Sequence, residues 1–249
     1  MRELVHPSSY VHPNAKLEEN VEIGPFCIIH ENVILKKGCK VDAYCELGVK
    51  TPLSNGSPLV IGENSIIRSH AVFYESSHFG DKLVTGHRVS VRENTFAGKN
   101  LQIGTLSDLQ GDTMIGDYVR FHSNVHIGKR CTIGNFVWIF PYVVLTNDPH
   151  PPSNILRGVT VNDFAVIATM SVILPGVTIG EGALVAAHSA VKSDVEPEMV
   201  YSGSPAIKIC PAGKIKLQDG TRRPAYPWNK HFFRGYPVEV IDEWNSNHE

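Results

Sequence analysis

Aliphatic residues recur at every sixth position through most of the chain. The first run is Val11, Leu17, Ile23, Ile29, Leu35, Val41 and Leu47. It resumes at Ile61, Ile67 and Phe73, weakens at Phe79 and Thr85, and continues from Val91 through Ile103, Ile115, Ile127 and Ile139 to Leu145. A last run goes from Val161 to Val191. An amphipathic helix repeats at about 3.6 residues and a half-buried strand at about 2, so neither explains a strict six. A repeat that short predicts a stacked solenoid, each unit burying its apolar side against its neighbours.

Four places after each rung stands a small or branched residue, for example Cys27, Cys39, Cys45, Ala71, Val125, Cys131, Ala165 and Ser189. Glycine often follows the rung directly, as at Gly24, Gly62, Gly104, Gly128 and Gly180. The expectation is that these glycines mark corners where the backbone reaches positive φ. Three flat strips would then close one triangular turn of eighteen residues, with turns about 4.8 Å apart like neighbouring strands.

The pattern resembles the hexapeptide-repeat acyltransferase superfamily, over roughly residues 5 to 209. The resemblance implies an all-β fold, a left-handed parallel β-helix with protruding loops, that works as a homotrimer. Left-handedness comes from the resemblance alone, because parallel crossovers are generally right-handed. Residues 210–249 form a second region, an irregular Pro- and aromatic-rich tail. Its run Trp228-Asn229-Lys230-His231-Phe232-Phe233 is too aromatic for an ordinary disordered end. It is expected to pack along the β-helix or a neighbouring subunit, with a short helix over Val238 to Trp244.

Two stretches break the ladder. Residues 48–60 read as a loop leaving a corner, and residues 146–160 insert ten residues beyond the usual six. Phe73 to Arg88 keeps the spacing with weak, polar rungs, and reads as a distorted turn of the solenoid or another excursion. Loops interrupting a rigid solenoid are where function tends to sit.

The net charge of -2 and pI near 6.6 offer no basic stripe for nucleic acid or a membrane surface. No apolar run is long enough to span a bilayer, and Met1 to Pro7 lack the core of a secretory leader. The chain therefore reads as cytoplasmic. Cys27, Cys39, Cys45 and Cys131 occupy the small inward slot as core fillers, and Cys210 lies outside the ladder. No zinc spacing is evident, and no metal is expected.

The final turns carry the strongest chemical signal. Val172-Ile173-Leu174-Pro175-Gly176-Val177-Thr178-Ile179-Gly180, Ser189-Ala190-Val191-Lys192 and Gly203-Ser204-Pro205-Ala206-Ile207-Lys208 resemble the last coils of maltose, galactoside, xenobiotic and sugar-nucleotide acetyltransferases. The resemblance implies acetyl-CoA as co-substrate, with Ala168 and Ala186 along its pantetheine arm and Lys192 and Lys208 at its phosphates. The loop Thr146-Asn147-Asp148-Pro149-His150-Pro151 is similar to the Thr-Asn-Asp-x-x-Pro loop of acetyltransferases acting on nucleotide-linked amino sugars. It implies Asn147 and Asp148 positioning an attacking amine, although Asn-Asp-Pro is also a good turn former.

His122, Asn124 and His126 lie on outward positions of one turn, and His150 is carried by the loop. Eighteen residues separate Ile127 from Leu145, so His126 is expected directly beneath the loop's root, as general base or proton relay. Asn124, His122 and His150 are the candidates for sugar binding. No nucleophile elbow or Cys-His pair appears, so direct attack on the thioester is expected, with rate coming mainly from positioning.

The primary reading is thus transfer of a short acyl group from acyl-CoA to a nucleotide-linked amino sugar for surface-polysaccharide precursors. The alternatives are a sugar O-acetyltransferase or a UDP-N-acetylglucosamine acyltransferase of lipid A type. The latter's stretch Asn-x-His-x-x-His-Asp-Cys-Thr-x-Gly is similar to Asn124-Val125-His126-Ile127-Gly128-Lys129-Arg130-Cys131-Thr132-Ile133-Gly134. Here, however, Lys129 and Arg130 replace the catalytic histidine and the aspartate that orients it. A γ-type carbonic anhydrase, which needs three histidines on zinc, fits the histidine spacing poorly. A non-catalytic solenoid is opposed by the intact coenzyme A-like coils.

Overall fold

A computed structural model describes residues 4–246. Met1, Arg2 and Glu3 of the stretch read for a leader lie outside the described residues. Short strands stack into three parallel sheets, which form the three faces of a prism. Face 1 holds ten strands from Tyr10–Val11 to Ala190–Val191, and face 2 nine from Lys16–Leu17 to Thr178–Ile179. Face 3 holds eleven, from Glu22–Ile23 through Leu184–Val185 to a closing antiparallel hairpin, Met199–Gly203 with Ala206–Pro211. Each strand pairs with the one a full turn on, as Asp108 with His126 and Leu109 with Ile127, a separation of eighteen residues. Coils are numbered here from Tyr10, so that coil 7 begins at His126.

The rungs point inward. Ile29, Leu47, Ile61, Leu109, Ile127, Ile139 and Ile173 are fully buried, and the core runs continuously from Val21 to Ala206. Each such aliphatic side chain removed from water contributes about 1.5–3 kcal/mol. Cys27, Cys39, Cys45 and Cys131 are free thiols buried in that core, and burial pushes the Cys131 thiol up to about 11. Phe79 and Thr85 are buried as well, and 72–89 forms an ordinary coil with a single bulge between Phe73 and Tyr74. The stretch looked distorted because a buried threonine closes one of its rungs.

The corners differ from expectation in their chemistry. Of the glycines directly after rungs, Gly48 reaches positive φ, whereas Gly24, Gly62, Gly104, Gly128 and Gly180 do not. They are there because the next coil passes too close, so that a Cβ on Gly104 would lie 2.3 Å from the His122 carbonyl carbon. Left-handed backbone falls two residues later, at Asn64, Asn94, Asn100 and Asn124 but also at Phe26, Tyr44, Tyr118, Phe136, Tyr142 and Phe164. Asparagine tolerates that region, whereas bulky residues carry a cost of about 1 kcal/mol or more there. Ring stacking between successive coils offsets it: Phe26 on Tyr44 at 5.0 Å, and Phe136 between Tyr118 at 5.1 Å and Phe164 at 5.0 Å.

The tail folds back on face 3 of its own chain. Arg120, Trp138, Val166, Leu184 and Val200 occupy outward positions there, and Arg120, Val166, Leu184 and Val200 are buried beneath it. Helix α1, Val238–Ser246, brings Trp244 onto Tyr236, Phe136 and Trp228. Among the described residues Arg120 has no carboxylate partner. Its guanidinium donates to the Asn100 side-chain oxygen at 3.1 Å and the Gly235 carbonyl at 3.3 Å, and lies 5.1 Å from the Tyr236 ring.

Candidate functional site

His126 opens the face 1 strand of coil 7, with Asp108 of coil 6 and Val144 of coil 8 as its neighbours in register. His126 Nδ1 lies 3.1 Å from Asp108 Oδ2. Gln110 donates from Nε2 to the same oxygen at 2.5 Å. The His126 hydrogen bond, followed by that of Gln110, outweighs partial burial and holds the Asp108 carboxyl below its usual range. With Nδ1–H donating to Asp108, the neutral ring carries its lone pair on Nε2. His126 keeps 41% of its side chain exposed and Asp108 34%, so the pair is open to a substrate.

Asp108 was missed in the sequence. The signal was nonetheless available, because subtracting one coil of eighteen from 126 lands on it. The forward count from Ile127 to Leu145 does locate the loop: a Cβ on Gly128 would lie 3.2 Å from both Cβ and Cγ of Asn147, so Asn147 packs over the corner that follows His126.

The remaining candidates divide between the two edges of face 1. On the edge shared with face 3 stand His122 and Asn124 of coil 6, then Ala168 and Ala186 just after the face 3 strands of coils 8 and 9. His122 stacks on Phe140 at 4.5 Å, and burial lowers its basicity. Asn124 sits at the apex with φ of 58°. On the edge shared with face 2 stand Asn147, Asp148, His150 and Lys192, the last following Val191. His126 lies on the face between.

Two expected roles meet other partners. The Asp148 carboxylate accepts from the Ser153 hydroxyl at 2.7 Å and from the amides of His150 and Ser153, each at 3.0 Å. Those bonds, the Ser153 hydroxyl foremost, depress its pKa and fold the loop on itself. Lys208 lies on the closing hairpin opposite Tyr201, which pairs on its other side with Val185 beside Ala186, and its ammonium is 2.6 Å from Glu196. Lys129, in the position of the lipid A motif's histidine, has its ammonium 3.6 Å from Asp112 and is three-quarters buried. Among the described residues no group of three His, Cys, Asp or Glu is placed to hold a metal, and no helix is long and apolar enough to cross a membrane.

The same prism occurs in a solved plant enzyme. The Arabidopsis UDP-N-acetylglucosamine acyltransferase superposes with a TM-score of 0.71 over 84% of this chain and 74% of its own, at 22% identity. The Bacteroides fragilis UDP-N-acetylglucosamine acyltransferase gives 0.55 over 98% and 82%, at 18% identity. The chain shares the left-handed β-helix fold of these enzymes. No family model matches it. Among curated proteins, the acyl-[acyl-carrier-protein]–UDP-N-acetylglucosamine O-acyltransferase of Bartonella bacilliformis is 30% identical over 139 residues, 53% of this chain. The chain spans about half the length of that relative (46%). The enzyme of the same name from Rhizobium johnstonii is 26% identical over 212 residues, covering 82% of this chain and 68% of the relative. For this β-helix, then, the comparisons turn from coenzyme A-dependent acetyltransferases toward enzymes named for a carrier-protein donor and a UDP-sugar acceptor.

Proposed function

We propose that the chain is an acyltransferase that esterifies a hydroxyl of a UDP-linked N-acetylhexosamine, with a pantetheine thioester as donor. The observation that carries this reading is the His126–Asp108 pair on an open face beneath the inserted loop. A hydroxyl is a poor nucleophile until a base removes its proton, whereas a neutral amine attacks unaided. An oriented imidazole is what the hydroxyl acceptor requires. Its Nε2 takes the proton as the sugar oxygen bonds to the thioester carbonyl. Asp108 stabilises the imidazolium that forms. Collapse of the tetrahedral intermediate expels the thiolate, which recovers that proton from His126.

His126 and Asp108 thereby replace the histidine and aspartate that are absent at Lys129 and Arg130. The donor is acyl carrier protein, in keeping with the names of the relatives, rather than the acetyl-CoA of the earlier resemblance. Both present the same pantetheine arm, which runs along the edge of Ala168 and Ala186. Asn124 and His122 line the sugar's approach from that edge. Asn147 and His150 line it from the loop, where Asp148 maintains the loop's shape. The working form is a homotrimer, to be checked by light scattering.

A second reading, N-acetylation of a nucleotide-linked amino sugar, is favoured by the loop sequence at 146–151 and by the lysine at 129. One assay separates the two. Acyl carrier protein thioesters with UDP-N-acetylglucosamine are run beside acetyl-CoA with UDP- and dTDP-amino sugars, following thiol release. A product cleaved by hydroxylamine, as an ester is, supports O-acylation. A resistant amide formed only from amino sugars overturns it.

A further inference from the structure

Glu75 and Glu93 hold the same corner position one coil apart, on the edge where face 1 turns into face 2. Both residues are 2% exposed, yet only one is neutralised. Arg92 donates from Nε and Nη2 to the two Glu93 oxygens at 3.1 and 3.2 Å, and the Thr51 hydroxyl of the first inserted loop adds another bond. Eighteen residues before Arg92 stands Tyr74, whose uncharged ring lies 5.1 Å from that guanidinium. Glu75 thus lacks the cation its counterpart has. Its Oε2 accepts from the Asn32 side-chain amide at 3.3 Å, but the two hydrogens of that amide also serve the Gly56 carbonyl at 3.1 Å and the Ser57 carbonyl at 3.0 Å. Its Oε1 is buried with no hydrogen-bond partner among the described residues. A buried carboxylate is costly in that state unless a cation reaches it.

Glu75 lines a cleft of about 430 Å³ together with Asn14, Glu31, Asn32, Lys50 and Gly56, and is the one buried residue among them. Lys50 is in no ion pair among the described residues. Calcium draws six to eight oxygens to about 2.3–2.6 Å. A cleft with room for more than about ten waters, at ~30 Å³ each, is too open for that, and the Lys50 ammonium opposes a bare metal ion. We propose that the cleft binds a small organic zwitterion, its primary ammonium against Glu75 and its anionic group against Lys50. Glu31, exposed at the mouth, adds negative charge that favours the ammonium end, and the amides of Asn14 and Asn32 are available to neutral polar groups. An α-amino acid and an amino-sugar phosphate share this chemistry. The cleft lies three coils from His126, about 14 Å along the prism, so its assignment is independent of the acyl-transfer reading.

Calorimetric titration of the full-length protein tests this with L-glutamine and glucosamine 6-phosphate as probes. Their N-acetylated forms, which lack the ammonium, and calcium chloride serve as controls. One of the two zwitterions should bind, which identifies the source, and its N-acetylated form should bind at least about tenfold more weakly. Glu75→Gln, which keeps the shape and removes the charge, should cost at least about tenfold in affinity, and so should Lys50→Ala. Without ligand, Glu75→Gln should melt no lower than the wild type, because its carboxylate has no cation to lose. Glu93→Gln should melt lower, because Arg92 then loses its partner. Binding of neither zwitterion overturns the proposal, as does affinity unchanged by N-acetylation, by Glu75→Gln or by Lys50→Ala. Heat from calcium chloride alone overturns it in favour of a metal. A Glu75→Gln protein that melts as far below the wild type as Glu93→Gln does would show a carboxylate already satisfied by the fold, and overturns it as well.

Discussion

Face 3 and face 1 of coils 6 to 8 are built from the same ladder and have opposite fates. On both, alternate residues point outward with a neighbour one coil above and below. Face 3 presents Arg120, Trp138 and Val166, and the tail buries or half-buries all three. Face 1 presents Asp108, His126 and Val144 to solvent, with the hydrogen-bonded His126–Asp108 pair at its centre. The inward rungs thus hold the prism together and leave the outward column free to become either a docking surface or a reaction site. The choice lies in those few residues and in where the tail goes.

The largest expected effect breaks the covered face. Trp244→Ala should destabilise the protein by about 3–5 kcal/mol, as for a buried aromatic, in denaturant titration. Its His126 chemistry should survive at temperatures where the fold persists. Arg120→Ala comes next, at about 1–3 kcal/mol, because the Asn100 side-chain oxygen and the Gly235 carbonyl lose their donor. An Arg120→Ala protein as stable as the wild type would mean that the guanidinium does not hold the tail.

On the open face the balance reverses. His126→Ala should lower turnover at least about tenfold, with stability changed by less than about 0.5 kcal/mol. Full activity would remove His126 from the chemistry. Asp108→Asn should reduce kcat more modestly and move the pH–rate profile's acidic limb to lower pH, since a neutral amide no longer stabilises the imidazolium. Asp108 also makes a stability prediction. Its pKa is depressed on folding, so its contribution is present above the ordinary carboxylate range and disappears as pH falls through the lower folded value. Wild type and Asp108→Asn should therefore converge in stability on acidification through and below the ordinary carboxylate range. The smallest effect is at the loop. Ser153→Ala should shift stability by less than about 0.5 kcal/mol yet speed proteolysis between 146 and 158, by loosening Asp148.

The period of six determined the solenoid, its eighteen-residue coil, the inward set and the placement of both insertions, because every turn repeats one local problem of bending and burial. It also placed the loop over His126. Three things depended on tertiary structure. The glycines proved to relieve close approach between coils, since which atoms pass overhead is a property of stacking. Asp108 became His126's partner because hydrogen bonding runs between residues a coil apart. The tail settled on face 3 because Trp138, Val166 and Leu184 there offer an apolar strip that a linear reading cannot separate from other outward positions. Local periodicity is written in the chain one unit at a time, whereas a site assembled across coils and under a returning tail exists only after all the units have been stacked.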